Sequence, residues 1–562
     1  MSDLADQLSE RAGAWIAEDP DPETRAELEG LVESGDTAEL EDRLRGPLEF
    51  GTAGLRGALG AGPNRMNRVV VLRAAAGLAA YLKGQGERGS VVIGYDARHY
   101  SDVFARDTAE VMAGAGFAAY LLPRPLPTPV LAYGIRDLGC VAGVMVTASH
   151  NPPQDNGYKV YLGDGSQIVP PTDAEISARI EAVGALAEIS RGGGTEVPIE
   201  VLGDDIVDRY LSTVAGLVEH GPRDLRVVYT PLHGVGGTSV RAVLQRAGFE
   251  APHEPPAQAE PDPDFPTVAY PNPEEPGAMD LAMALAEEVG ADIVVANDPD
   301  ADRCAVGLPG PHGWAMLRGD EVGALLARHL LGKGKRGVYA TSIVSSSLLG
   351  KLAAAAGQPH QETLTGFKWI GRIEGLVFGY EEALGYCVDP EHVRDKDGIS
   401  ALLLVCELAA QVKADGRGLR DLLDEIATEH GLHATDQLSL RVDHVAEIPA
   451  IMERLRSSPA PSALGGLAVE QLDDLSLGSD DLPPTDGLRF RLADGARVIV
   501  RPSGTEPKLK CYLEVVIPVS ATHGGVDAAR ISAAGRLDAI RSDMNEVFRA
   551  TRTRESSSGG RP

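Results

Sequence analysis

The stretch Val141-Ala142-Gly143-Val144-Met145-Val146-Thr147-Ala148-Ser149-His150-Asn151-Pro152 reads as an apolar strand running directly into a polar loop. Ser149 then lies beyond the carboxyl end of a strand, where α/β proteins bind ligands. A serine in that place can act as a nucleophile, with His150, or Lys159 in Asn156-Gly157-Tyr158-Lys159, to handle protons. The G-x-S-x-G elbow of serine hydrolases is missing, which disfavours acyl transfer. Taken alone, the segment reads more readily as a Ser/Asn/Pro turn after a strand.

Around this strand the pattern is α/β. Val91-Val92-Ile93 is a second apolar strand, and helical spacing marks 73–83 and 102–115. We divide the chain into a helical appendage over 1–45, where Asp19-Pro20-Asp21-Pro22 separates two helices, and four domains over 46–204, 205–312, 313–435 and 436–550. Gly192-Gly193-Gly194 closes the first domain, and the Pro-rich stretch 252–276 in the second reads as an ordered connection. The low-complexity tail 551–562 is expected to be disordered. The length agrees: 562 residues at about 150 per domain give about four.

Composition narrows the function classes. With 52 basic against 82 acidic residues the formal charge is −30, so no general basic surface exists for a nucleic acid or an anionic bilayer. Five scattered cysteines without a C-x-x-C pair argue against a disulfide framework or a thiolate zinc site. Met1-Ser2-Asp3-Leu4-Ala5-Asp6 lacks the features of a signal peptide, and the longest apolar stretch, near 402–410, is broken by Glu407. A cytoplasmic protein is expected, with no nucleic-acid, membrane or obligate protein partner.

A second strand, Ile293-Val294-Val295, leads into Asn297-Asp298-Pro299-Asp300-Ala301-Asp302-Arg303. Carboxylates at i, i+2 and i+4 of a loop can converge on one hard cation such as magnesium or calcium. An EF-hand is excluded because Arg303 stands where its glycine is needed and Pro309 where its bidentate glutamate is needed. A solvated acidic turn is the plainer alternative; Pro299 and the preceding strand favour a metal.

A third strand, Val498-Ile499-Val500, leads into Arg501-Pro502-Ser503-Gly504-Thr505-Glu506-Pro507. An arginine, two hydroxyls and backbone N–H groups around Gly504 suit an anion, although a simple turn fits as well and no Walker loop is present. Arg56 and Arg98 each lie in a Gly-bearing segment, and Lys368 and Lys396 lie in polar loops. Gly379-Tyr380-Glu381-Glu382-Ala383-Leu384-Gly385 carries paired carboxylates that suit sugar hydroxyls. Neighbouring carboxylates in one loop rarely flank a scissile bond, which disfavours a glycosidase. Singly, each of these segments reads as a solvated loop.

Together and in this order the segments resemble the α-D-phosphohexomutase superfamily, specifically its phosphoglucomutase and phosphomannomutase members, over roughly 47–515. T-A-S-H-N-P-P-Q-D-N-G-Y-K at 147–159 is similar to the phosphoserine loop, D-P-D-A-D-R at 298–303 to the magnesium loop, and R-P-S-G-T-E-P at 501–507 to the phosphate-binding loop. P-D-P-D-F-P-T-V at 261–268 and P-N-P-E-E at 271–275 resemble segments of the longer bacterial and animal members. The resemblance implies a heart-shaped fold of three similar α/β/α domains and a C-terminal α+β domain like the TATA-binding protein, with one loop from each in a central cleft.

It further implies a sugar 1-phosphate/6-phosphate mutase, glucose first, working through phospho-Ser149, one magnesium ion per chain and a sugar bisphosphate that serves as intermediate and activator. Ser149, His150, Lys159 and Arg56 fall in the catalytic group, and phospho-Ser149, Asp298, Asp300 and Asp302 hold the metal. Arg98, Arg303, Thr365, Gly366, Lys368, Glu381, Ala383, Lys396, Arg501, Ser503, Gly504 and Thr505 bind the phosphosugar. One departure stands out: many members have G-E-x-S-G, and here Ala383 occupies the serine position. The E-E-A form is similar to a branch acting on pentose phosphates or making glucose 1,6-bisphosphate, so mannose and pentose phosphates are the alternative substrates. A non-catalytic sugar-phosphate sensor and a metal-dependent phosphatase are the rival classes. The sensor predicts a damaged nucleophile or metal loop, yet Ser149 and the three aspartates are all present.

Overall fold

The computed structural model describes residues 2–49, 54–192, 197–442, 447–457, 461–479, 482–502, 508–520, 522 and 524–553. Gly51, Thr52, Ala53, Gly193, Gly194 and the loop 503–507 lie outside them, as does the tail from 554 on. The chain divides into two compact units, residues 1–317 with 385–415, and residues 318–384 with 416–562.

The first unit opens with helices Ser2–Glu18, Pro22–Ser34 and Thr37–Leu44. The sequence pattern showed only two. The third is set off by Gly35, left-handed at φ 69°, and by Asp36, whose carboxylate accepts the Glu39 N–H at 3.1 Å. Leu8, Ala12, Leu28, Leu40 and Leu44 form their core, which Ala61 of the following domain also enters.

Next comes a six-stranded sheet in the order Leu55–Ala58, Asp155–Leu162, Ala142–Val146, Ser90–Tyr95, Ala118–Leu121, Ile199–Val201. Its last four strands are parallel and the first two antiparallel. Helices Arg68–Gly84 and Ser101–Gly114 bury Leu72, Leu78, Phe104 and Met112 against it. The second sheet runs Gly313–Met316, Ala305–Gly310, Ile293–Ala296, Val227–Thr230, with only the last pair parallel. Residues 313–316, which we placed at the start of the third domain, therefore complete the second. The hairpin pairs Trp314 with Pro309 around Gly310-Pro311-His312-Gly313, a turn signal that reads equally as a domain boundary. Helix Gly398–Ala414, nearly all of it buried, belongs to this same unit.

The second unit contains three parallel strands in the order His360–Thr363, Val338–Ser342, Leu376–Glu381. It ends in a six-stranded antiparallel sheet, Leu432–Arg441, Lys508–Ile517, Arg497–Pro502, Leu488–Leu492, Leu467–Asp474, Ala463–Leu464. Helices Glu447–Ser457 and Gly525–Thr553 cover that sheet with Ile451, Met452, Ile540, Met544 and Phe548. The last helix extends three residues into the expected tail. Among the described residues no helix is long and apolar enough to cross a membrane.

Candidate active site

In the first unit, Ser149 follows the strand Ala142–Val146 in a left-handed conformation, φ 54°, which a side-chain-bearing residue rarely adopts. Its N–H donates to Thr147 Oγ1 at 2.8 Å. Its Oγ donates to Asp298 Oδ2 at 2.6 Å and lies 3.2 Å from His150 Nδ1.

The loop after Ile293–Ala296 buries Asp298, Asp300 and Asp302 to 0%, 0% and 1% exposure. Thr128 Oγ1 donates to Asp300 Oδ2 at 2.6 Å, and Asn297 Nδ2 donates to the Arg303 carbonyl at 2.6 Å. Gly398 packs so closely that a Cβ there would lie 2.2 Å from the Arg303 oxygen. The loop is thus fixed from several sides.

Lys159, in mid-strand on Asp155–Leu162, places its ammonium 2.7 Å from Asp300 and 3.0 Å from Asp302. Lys396 lies 3.0 Å from Asp302. Burial draws the Lys159 ammonium down, but Asp300 and Asp302 outweigh it and hold the group above its ordinary value. Burial likewise pushes Asp302 up and is overcome by Lys159, Lys396 and Arg303. Asp298 goes the other way: burial and the two neighbouring carboxylates raise it well above the usual range. Burial, with Arg303 and Arg56, drives His150 well below its ordinary value, so the imidazole is neutral. Arg56 donates to Asn151 Oδ1 at 3.3 Å.

The three carboxylates fit a hard divalent ion. They offer oxygens within 4.8 Å of one another, and Asp300 Oδ1 and Asp302 Oδ1 are buried without a hydrogen-bond partner. Buried charged oxygens left in this state are costly unless a cation satisfies them.

Arg98, expected among the substrate-binding residues, is committed to backbone carbonyls. Its NH1 donates to the carbonyls of Pro152 (2.8 Å) and Asp155 (3.1 Å), and its NH2 to those of Ser149 (2.7 Å) and Asn151 (2.5 Å). It holds the Ser149 loop from beneath. Thr128 has no place among the expected site residues, and Thr147 appears only as part of the Ser149 segment. Thr128 meets Asp300 across 172 residues of chain, and nothing in Pro125-Leu126-Pro127-Thr128-Pro129 signals that contact.

In the second unit, Glu381 accepts the Gly366 N–H at 2.7 Å, joining two of the expected sugar-recognition segments. Gly366 has φ 117°, a conformation that only glycine adopts easily. Lys368 is 8% exposed, and the Thr365 hydroxyl is buried without a hydrogen-bond partner. Glu382, next to Ala383, is taken up by the hydroxyls of Ser342 and Ser345. Arg501 sits beside Tyr512 at the end of the strand Arg497–Pro502. Ser503, Gly504 and Thr505 lie outside the described residues.

Four family models match in succession, all of phosphoglucomutase/phosphomannomutase: α/β/α domain I over 47–186, domain II over 208–309, domain III over 318–430, and the C-terminal domain over 440–529. A probable phosphomannomutase of Haemophilus influenzae is 50% identical over 457 residues, covering 80% of this chain and 93% of that protein. A phosphopentomutase of Mus musculus is 35% identical over 564 residues, 91% of each. The crystal structure of a putative phosphomannomutase from Thermus thermophilus superimposes with a TM-score of 0.69 at 27% identity, over 89% of this chain and 99% of that one. With all four domains matched in order, this chain belongs to the phosphoglucomutase/phosphomannomutase family of the α-D-phosphohexomutases, enzymes that are isomerase-type phosphotransferases.

Proposed function

We propose that the protein interconverts the 1- and 6-phosphates of a hexose, glucose first, by way of a phosphoryl group on Ser149 and a bisphosphorylated sugar. The observation that carries this is the Ser149 hydroxyl held at a left-handed turn, 2.6 Å from Asp298, among Lys159, Arg56, Arg303 and His150. In the forward step the free sugar hydroxyl attacks phosphorus. The P–O bond to Ser149 breaks, the sugar oxygen loses its proton, and the serine oxygen regains one. His150 and Lys159 are the two side chains beside Ser149 and the aspartates that would exchange these protons. Magnesium held by Asp298, Asp300, Asp302 and phospho-Ser149 would supply charge neutralisation at a phosphoryl oxygen. Reversal with the bisphosphate turned end over end returns a phosphoryl group to Ser149. Glu381 and Lys368 would bind sugar hydroxyls, and Arg501 with Ser503, Gly504 and Thr505 the sugar's own phosphate.

A pentose phosphate is the second reading. Ala383 favours it, because a hydroxyl that would reach the sugar is missing, and so does the resemblance to the mouse phosphopentomutase. Comparing kcat/KM on glucose, mannose and ribose 1-phosphates decides among them: glucose highest supports the first reading, ribose highest the second. Ser149→Ala, assayed with glucose 1,6-bisphosphate as activator, is expected to lose at least about a thousandfold in kcat, the scale set by removing a nucleophile. Activity near wild type would refute the phosphoserine.

A further inference from the structure

The geometry points to Phe265 as a positioning residue for phosphoryl transfer: its ring stacks on Arg98 and fixes the guanidinium that holds the Ser149 loop. The inference rests on Ser149 being the phosphoryl carrier.

The Pro-rich connection 252–276 crosses the first unit as a series of turns, yet it buries Phe265 to 2% exposure. The ring centroid lies 4.9 Å from Arg98 Cζ. A guanidinium hydrogen-bonds in its plane, and both terminal nitrogens are committed there to the carbonyls of Ser149, Asn151, Pro152 and Asp155. Its faces remain for packing, and an aromatic ring is the partner that attracts a cation there. The plane of the guanidinium then sets the height of the Ser149 carbonyl.

Phe265 itself is held at φ 46°, unfavourable for a bulky residue and so imposed by its surroundings. His233 packs edge-on against the ring at 6.5 Å, and its Nε2 lies 2.8 Å from Thr267 Oγ1. His233 also accepts the Asp262 N–H on its carbonyl at 3.0 Å. The turn carrying His233 abuts the other half of the site. The Val235 N–H donates to the Pro299 carbonyl at 2.8 Å, and a Cβ on Gly234 would lie 2.3 Å from Pro299 Cα. One strap therefore braces the nucleophile loop through Arg98 and the aspartate loop through Pro299. A phenylalanine that merely filled the core would need neither the cation nor the strained turn.

The test uses the full chain with magnesium, glucose 1-phosphate and glucose 1,6-bisphosphate, with rates expressed per folded molecule. Phe265→Leu keeps an apolar group but no π face. It is expected to lower kcat about tenfold with KM within about twofold, the change that losing a buried cation–π contact gives. Phe265→Tyr, which restores the ring, should recover most of the rate. Should Phe265→Leu fail to fold, Phe265→Met is read the same way. Unchanged kcat per folded molecule, or a rise in KM alone, would overturn the inference. If Ser149→Ala stays active, the phosphoserine reading fails instead, so the two failures are distinguishable.

Discussion

Arg98, buried, and Arg497, half-buried, each grip a loop, one in each unit, and they do it with different partners. Arg98 faces carbonyl dipoles, with Asp96 Oδ2 3.4 Å from its Nε. Burial outweighs these partners and lowers its affinity for the proton. Arg497 faces carboxylates: its Nε donates to Glu514 Oε2 at 2.5 Å and its NH1 to Glu362 Oε1 at 3.3 Å, while NH1 and NH2 also reach the carbonyls of Ile343 and Ser345. There the acids overcome burial and raise it. At Arg98 four carbonyl dipoles orient the Ser149 loop, and one carboxylate, Asp96, lies beside the guanidinium. A carboxylate cluster ties its surroundings more tightly and makes them depend on charge balance.

The contrast breaks most visibly at Arg497. Arg497→Met leaves Glu514 buried at 3% exposure without its cation, and we expect the second unit to lose about 3–5 kcal/mol. Calorimetry of the full chain checks this. The double variant with Glu514→Gln should recover part of the loss. Arg98→Lys should act on rate more than on stability. A lysine cannot serve four carbonyls in one plane, and kcat should fall about a hundredfold, equivalent to two charge-assisted hydrogen bonds. A fall in melting temperature with kcat intact would make Arg98 the same kind of residue as Arg497.

A smaller effect sharpens the electrostatic side. Asp320 lies in the same cluster, accepting from the Ser346 N–H at 2.6 Å and the Tyr380 hydroxyl at 3.0 Å, and burial raises it to about 6. The folded state therefore holds a proton that the unfolded chain releases near its ordinary value of 3.8. Stability from this group is complete below that value and is lost as pH rises through about 6. Glu514, held low mainly by Arg497 against burial, contributes the opposite slope only in more acid solution. Between about pH 4.5 and 6 the wild type should lose about 1.5 kcal/mol that Asp320→Asn does not lose. Parallel pH curves for the two proteins would contradict this.

The strands that lead into the site were legible because each is an apolar run: Ala142–Val146, Ile293–Ala296 and Arg497–Pro502 form where Val141 to Val146, Ile293 to Val295 and Val498 to Val500 stand in the sequence. The strand Asp155–Leu162 was not. Its Asp, Asn, Gly and Lys look like a loop, and they are tolerated in the sheet because Lys159 finds Asp300 and Asp302 and Asn156 finds Ser101 and the His99 carbonyl. Residue types suggested Ser149 and the three aspartates. They could not suggest that Arg98 binds the carbonyls of 149–155, or that Phe265 meets it, because both depend on contacts between segments far apart in sequence. A spaced motif advertises chemistry, whereas a brace is visible only in packing.

The most direct test of the phosphoserine follows the phosphoryl group itself. The protein is incubated with glucose 1,6-bisphosphate and magnesium, digested, and the phosphate located by mass spectrometry, before and after a chase with glucose 1-phosphate. The account predicts phosphate on Ser149 that the chase removes into sugar bisphosphate; phosphate elsewhere, or turnover with Ser149 never phosphorylated, would contradict it.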